Sequence, residues 1–125
     1  MAPLPRLTRR AEFLRVAAAR RKYVAPGLIL QAAAGPGASP AEPVWRVGFT
    51  ASRKVGNAVA RNRAKRRMRA AASQRLSLLG RAGHDYVLVA RASTGTRVFE
   101  ALLADVTAAL GAAHRGLDRK AGEAS

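Results

Sequence analysis

The stretch RVGFTASRKVGNAVARNRAKRRMR, residues 46–69, places a strand pattern directly before a helix pattern. Apolar Val47 and Phe49 alternate with Arg46 and Thr50. This alternation predicts a strand that packs one face on the core and leaves Arg46 and Thr50 for solvent or a ligand. The fold must therefore accommodate a half-buried strand and a long helix joined by a short turn.

Helical sequence runs from about Gly56 to Leu79 and stops at Gly80. At 100° per residue, one side of this helix is apolar and the other is polar or cationic. The apolar side contains Ala60, Ala64, Met68 and Ala71. The opposite side contains Asn62, Lys65, Arg66 and Arg69, with Arg63 at its edge.

The charge on this helix is not balanced by nearby acid. Six cationic residues occupy the nine positions Arg61–Arg69, and no acidic residue occurs between Pro43 and His84. The whole chain has 23 Lys and Arg against seven Asp and Glu, a net charge of +16. Such a chain repels itself unless a polyanion neutralises it, and arginine forks together with Asn62 suit RNA or DNA.

Two other interpretations of the cationic side are weaker. A solvated helix face without a partner normally intersperses glutamates among its cations, and this one has none. A helix lying on a membrane surface needs large apolar residues opposite its charges, whereas this helix offers alanines and Met68.

The flanking sequence predicts further elements. Thr8 is expected to cap a first helix whose apolar face is Phe13, Val16 and Ala17. The segment LILQAAA predicts a strand ending near Ala34, followed by a loop in the Pro- and Gly-rich AGPGASPAEP.

Two elements are predicted in the C-terminal part of the chain. HDYVLVAR, residues 84–91, reads as a buried strand. Apolar residues recur at helical spacing from Phe99 to Leu110, which predicts a helix ending at Gly111. Residues 112–125 are expected to form a frayed tail, so the predicted domain is 1–111.

These elements indicate an α+β two-layer sandwich, with an about four-stranded mixed sheet packed with three helices in the order α-β-β-β-α-β-α. A helical bundle remains the alternative if the strands are misread. The absence of cysteine excludes disulfides and cysteine-ligated zinc, and the separate His84 and His114 make no metal site. No signal peptide or membrane span is evident, so a soluble, cytoplasmic protein with no membrane partner is expected.

The stretch 46–69 closely resembles the protein subunit of bacterial ribonuclease P, with its Val-Gly-Phe-Thr strand, Ser-basic-Lys-Val-Gly turn and Arg-Asn-Arg helix. The likeness extends more loosely to RLTRRAEFLRV and DYVLVAR. It implies a protein that binds a catalytic RNA subunit and helps it remove the 5′ leader from precursor tRNA. It also implies a left-handed crossover between two parallel strands through the Arg-Asn-Arg helix, against the usual right-handed rule.

The resemblance implies that Mg²⁺ ions held mainly by the RNA perform the hydrolysis. The sequence agrees, since it offers no catalytic carboxylate pair or nucleophile–base set, and neither catalytic residues nor a protein-bound metal are expected. Composition alone leaves a ribosomal-type structural RNA-binding protein as the alternative.

Carried over by position, the resemblance implies two sets of contact residues. The RNA-binding set is Arg53, Lys54, Asn57, Arg61, Asn62, Arg63, Lys65, Arg66 and Arg69. The set for a cleft that receives the single-stranded leader is Phe13, Leu28, Ile29, Gln31 and Arg46. Ala17 and Gln31 stand where many relatives carry aromatics, so we expect leader binding here to depend more on charge than on base stacking. Phe13 is equally consistent with packing in the core.

Overall fold

The computed structural model describes residues 4–34 and 45–124. The predicted loop after Ala34 falls mostly on 35–44, outside the described residues. The described chain forms three α-helices and four strands in the predicted order, with a short 3₁₀ turn at Arg53–Val55. The helices are α1 (Arg10–Ala18), α2 (Ala58–Leu79) and α3 (Phe99–Ala124), and the strands are β1 (Lys22–Val24), β2 (Leu28–Ala34), β3 (Arg46–Thr50) and β4 (His84–Ala90).

The four strands form one mixed sheet in the order β1-β2-β4-β3. β2 pairs antiparallel with both β1 and β4, whereas β3 pairs parallel with β4, Val47 opposite Tyr86. Parallel neighbours need a crossover connection, and α2 supplies it. The mixed sheet is therefore confirmed, while the handedness of the crossover stays a prediction.

The main core lies between the sheet and the helices α2 and α3. Alternate residues of the strands, such as Leu30, Val47 and Leu88, pack there against Met68 and Leu102. This confirms the core face predicted for β3 from its alternation. α1 covers part of the other side of the sheet through a smaller cluster of Leu7, Val16, Ala33 and Val87.

The prediction that Thr8 caps α1 is wrong, because the helix begins at Arg10 with Arg9 as its N-cap. The carboxylate of Glu12 accepts hydrogen bonds from the backbone N–H groups of Thr8 at 3.2 Å and Arg9 at 2.9 Å. These bonds lower the pKa of Glu12. An acidic residue in the first turn thus fixes the start of α1 in place of the Thr8 side chain, by accepting from the two backbone N–H groups that precede the helix.

The prediction that α3 ends at Gly111 and leaves a frayed tail is also wrong. The helix continues to Ala124, and Ala113 in the continued part is fully buried. Asp118 pairs with Arg81 at 2.5 Å. A glycine inside a helix costs only about 1 kcal/mol, which these contacts of the last turns outweigh.

A buried hydrogen bond joins β4 to this extended part of α3. The Tyr86 hydroxyl accepts from the backbone N–H of Arg81 at 3.1 Å and lies 2.7 Å from Nε2 of His114. Burial lowers the pKa of His114 and raises that of Tyr86. Arg81 and His84 also disfavour the imidazolium, while Asp118 favours it. The two pKa directions favour the neutral imidazole and the neutral phenol, so this is a hydrogen bond between two uncharged groups.

Candidate nucleic-acid interface

Packing fixes which side of α2 faces outward. Ala64, Met68 and Ala71 are fully buried, while Asn62 and Arg66 on the opposite side are exposed. The predicted helical wheel is confirmed for these positions. Arg63 is also exposed, whereas Arg61, Lys65 and Arg69 are half-buried along the flank of the helix.

The turn before α2 adds two cations at the start of the helix. Arg53 and Lys54 are exposed in the 3₁₀ turn. The chain then passes through Gly56 at φ 143°, a conformation that favours glycine. Together with α2 they make a continuous surface that we call the basic stripe, consisting of Arg53, Lys54, Arg61, Arg63, Lys65, Arg66 and Arg69.

The described residues supply no carboxylate that neutralises the basic stripe. Among residues 4–34 and 45–119, none of its seven side chains forms an ion pair or a hydrogen bond with another side chain. The carboxylates of Glu12, Asp85, Asp105 and Asp118 pair instead with arginines outside the stripe. The stripe is therefore a strong positive surface suited to a polyanion.

Two polar residues predicted to bind RNA differ in their surroundings. Asn57 is the N-cap of α2, and its Oδ1 accepts from the backbone N–H of Ala60 at 2.9 Å. An asparagine just before a helical pattern is typical of a cap, so the sequence already contained this signal. Asn62 is exposed on the outward side and points away from the core.

One cation of the Arg61–Arg69 run turns inward. Arg67 donates from Nε to the carbonyl oxygen of Thr94 at 3.0 Å and from Nη2 to that of Arg97. It was not among the predicted RNA-binding residues, and its actual partners lie 27 and 30 positions away along the chain. Nothing local in the sequence could have identified them.

A second surface lies beside α1, where the helix leaves part of the sheet uncovered. A cavity of about 390 Å³ is lined by Ala17, Arg20, Arg21, Lys22 and Gln31. Arg20 and Lys22 are exposed, and Arg21 donates to the carbonyl oxygen of Gly116 in α3 at 3.2 Å. Gln31 is the predicted cleft residue that lines this cavity. The three cations that also line it, Arg20, Arg21 and Lys22, were not among the predicted cleft residues.

Two apolar residues of β2 that were predicted to line the cleft, Leu28 and Ile29, lie on opposite sides of the sheet. Ile29 is half-buried on the side of β2 that carries Gln31 and Ala33. Leu28 is fully buried in the main core on the opposite side, so it does not line this cleft. The reason is the two-residue period of a strand, which sends Leu28 and Ile29 to opposite faces.

Phe13 lies on the α1 side of the sheet, where it is half-buried and packs on the smaller cluster. Its ring occupies the position that a side chain on Gly48 would take, since a Cβ built there would overlap the ring atoms Cε1 and Cζ. Glycine at position 48 therefore allows the aromatic ring to lie directly on β3.

Arg46 also faces α1, but its guanidinium is engaged in ion pairs. It bonds Asp85 at 2.9 and 2.8 Å and Glu12 at 2.6 Å, and Asp85 also pairs with Arg15. The hydrogen bonds that Arg46 donates to Asp85 raise the pKa of Arg46. Arg46 thus joins α1 to the sheet and lies outside the cavity lining.

Residues 4–34 and 45–124 contain neither a membrane-spanning helix nor a cluster of metal ligands. No helix in this part of the chain is long and apolar enough to cross a membrane. Within the same residues, no group of three His, Asp or Glu side chains could hold a metal ion.

Comparison with known sequences identifies one family. The family model described as Ribonuclease P matches residues 1–114. The "Ribonuclease P protein component" of Paramagnetospirillum magneticum is 54% identical over 109 residues, covering 87% of this chain and 82% of that protein. The protein of the same name from Ruegeria pomeroyi is 50% identical over 109 residues, covering 86% and 85%.

Solved structures show the same fold at lower sequence identity. The ribonuclease P protein of Staphylococcus aureus superposes with a TM-score of 0.70 at 21% identity and covers 89% of this chain and 96% of that one. The protein from Thermotoga maritima gives a TM-score of 0.69 at 20% identity, covering 84% and 94%. These likenesses support the mixed four-stranded sheet with three helices described above.

Proposed function

This chain belongs to the ribonuclease P protein family, and on that premise we propose that its basic stripe binds the catalytic RNA subunit while the cleft beside α1 receives the 5′ leader of precursor tRNA. The protein is then the RNA-binding component of an endoribonuclease whose catalytic centre is RNA. The observation that carries this proposal is the set of seven stripe cations on one surface, none of them paired within the described residues. We also propose a cytoplasmic location, where precursor tRNA is made in bacteria.

We assign the magnesium ions to the RNA. The ions supply Lewis-acid activation for hydrolysis of the phosphodiester bond. The protein offers poor ligands for them, since Glu12, Asp85 and Asp105 are already held by arginines. Its part is to place positive charge beside crowded phosphates, which lowers the magnesium concentration that the RNA needs.

The cleft suits a single strand bound mainly through its backbone. Arg20 and Lys22 bring positive charge to the cavity, and Gln31 offers an amide to a base edge or a 2′-hydroxyl. None of the five residues that line the cavity is aromatic. The ring of Phe13 packs against Gly48 and does not line the cavity. The ring can stack on a leader base only with the face that does not contact Gly48.

The test is cleavage of precursor tRNA by the cognate RNA subunit, with and without this protein, across a magnesium titration. We expect the protein to shift the titration to lower magnesium and to cleave nothing alone. Cleavage by rigorously purified protein without RNA would contradict the proposal. A ribosomal-type RNA-binding protein would leave the titration unchanged, which would equally refute it.

A further inference from the structure

Arg67 differs from the other cations of α2 in having two partners within the protein. Its guanidinium donates to the carbonyl oxygens of Thr94 and Arg97, both in the segment 91–98 that connects β4 to α3. Backbone carbonyls cannot neutralise its charge, so the bonds have a geometric role rather than an ion-pairing one. A planar fork that holds two carbonyls fixes both distance and orientation.

The segment that Arg67 holds is itself firmly attached to the turn between β1 and β2. Ser93 Oγ donates to the carbonyl of Pro26 at 2.6 Å, and Thr94 Oγ1 donates to that of Gly27 at 2.6 Å. Thr94 is completely buried. Arg67 therefore ties α2 to a segment that is fixed to the hairpin forming one wall of the cleft.

The other end of the same segment is attached to α3. The side chain of Arg97, whose carbonyl Arg67 holds, pairs with the buried carboxylate of Asp105 at 2.5 Å. Arg91 at the start of the segment donates to the carbonyl of Ala25 at 2.7 Å. The segment thus cannot follow a rotation of α2 without breaking several bonds.

α2 packs on the core largely through small side chains, so its packing alone does little to prevent rotation of the helix about its own axis. Ala64, Ala71 and Ala72 are buried against the sheet and α3. Alanine side chains form only shallow ridges, which interlock weakly with the grooves of neighbouring elements. With side-chain tips about 5–6 Å from the helix axis, a rotation of about 20° would move a stripe cation by about 2 Å. A shift of that size is enough to misalign the hydrogen bonds of a phosphate contact, although the cation still lies close enough to neutralise the phosphate.

We infer that Arg67 is a positioning residue, which sets the rotation of α2 so that the basic stripe and the cleft face their RNA ligands together. The inference rests on the proposed function, since it concerns how the stripe meets RNA. Arg67 itself is not placed in contact with RNA.

The test compares Arg67→Ala and Arg67→Lys with Arg66→Ala, an exposed stripe residue one position away. Affinity for the RNA subunit is measured over a range of salt concentrations, at a temperature at which circular dichroism shows every variant to be folded. We expect both Arg67 variants to weaken binding about 2- to 30-fold, the range of couplings transmitted through packed networks. Their log–log salt slope should match that of the wild type, because the seven stripe cations are all retained and still lie close enough to neutralise the same phosphates.

Arg66→Ala should instead lower the slope by about 0.7–0.9, the contribution of one neutralised phosphate. A similar fall in slope for Arg67→Ala would mean that Arg67 contacts RNA directly, and the inference would be wrong. Unchanged affinity with only a lower melting temperature would reduce Arg67 to a structural residue and overturn it as well. Arg67→Lys retains the charge without the fork, so it still tests the inference if Arg67→Ala fails to fold.

Two measurements that do not involve Arg67 show whether the proposed function itself is wrong. In that case the wild-type protein would not lower the magnesium requirement of the RNA, and Arg66→Ala would bind RNA as the wild type does. Neither result depends on Arg67.

Discussion

The salt dependence of RNA binding can be worked out from the basic stripe. Each phosphate neutralised contributes about 0.7–0.9 to the log–log slope, so the seven cations of the basic stripe predict a total slope of about −5 to −6. Between 50 and 200 mM salt, the association constant should then fall by about 10³-fold. The substitutions Arg63→Ala and Arg66→Ala remove exposed stripe cations and should each reduce the slope by about 0.7–0.9.

The control is Arg119→Ala, which removes the same formal charge from an exposed position on α3. Arg119 follows Asp118, which pairs with Arg81 beyond the C-terminal end of α2. That end, Leu79, lies about 15 Å along the helix axis from Arg69, the stripe residue of α2 nearest to it, at 1.5 Å per residue. This exceeds the screening length of about 8–10 Å at physiological salt, so Arg119→Ala should leave the slope unchanged.

The measurement is a titration of labelled RNA subunit with protein at four or more salt concentrations and constant magnesium. Melting temperatures are recorded for every variant. Arg66→Ala should melt at or slightly above the wild-type temperature, since like charges in neighbouring turns destabilise a helix. Equal losses of slope for Arg66→Ala and Arg119→Ala would show that the protein acts as a diffuse polycation, and the assignment of the stripe would be refuted.

Three further predictions concern stability. Asp85→Asn should lower the free energy of unfolding in urea by about 2–3 kcal/mol, because it leaves the partly exposed Arg46 without its main partner. An unchanged urea midpoint of unfolding would show that the Arg46–Asp85 pair contributes nothing to stability. The pKa of folded His114 lies below the ordinary 6.5, so stability should be complete above about pH 6.5 and decline as the pH falls through the folded pKa. His114→Gln should flatten that profile in urea titrations from pH 8 to 5, and a flat wild-type profile would contradict the reasoning. Gly48→Ala should displace the ring of Phe13 and cost about 1–3 kcal/mol, and calorimetry showing an unaltered melting temperature would mean that the ring moves aside freely.

Family membership concerns the role of the whole protein, whereas the salt dependence of RNA binding reports which side chains contact RNA. The relatives in Paramagnetospirillum magneticum and Ruegeria pomeroyi are named as ribonuclease P protein components and share about half of their residues with this chain. The contacts themselves depend on the surroundings of individual side chains. Asn57 illustrates the difference, since its oxygen is occupied by the helix cap while Asn62 remains exposed.

The sequence was sufficient for features that depend on local periodicity and charge. The alternation in 46–50 predicted the burial of Val47 and Phe49, and the wheel of α2 predicted the burial of Ala64, Met68 and Ala71. The excess of cations in Arg61–Arg69 over nearby acids was also visible without coordinates. Each of these signals arises among residues a few positions apart, where strand and helix geometry alone relate the side chains.

Only the tertiary structure decided where α3 ends and what the individual arginines contact. Gly111 weakens a helix locally, but the bond between His114 and Tyr86 joins residues 28 positions apart and lies within the part of α3 that continues past it. Arg46 and Arg67 are as basic in sequence as Arg66, yet their partners lie 27 to 39 positions away and hold them within the protein. Such contacts exist only once the chain has crossed from β3 through α2 to β4, because that crossover brings distant carbonyls and carboxylates within reach of each guanidinium.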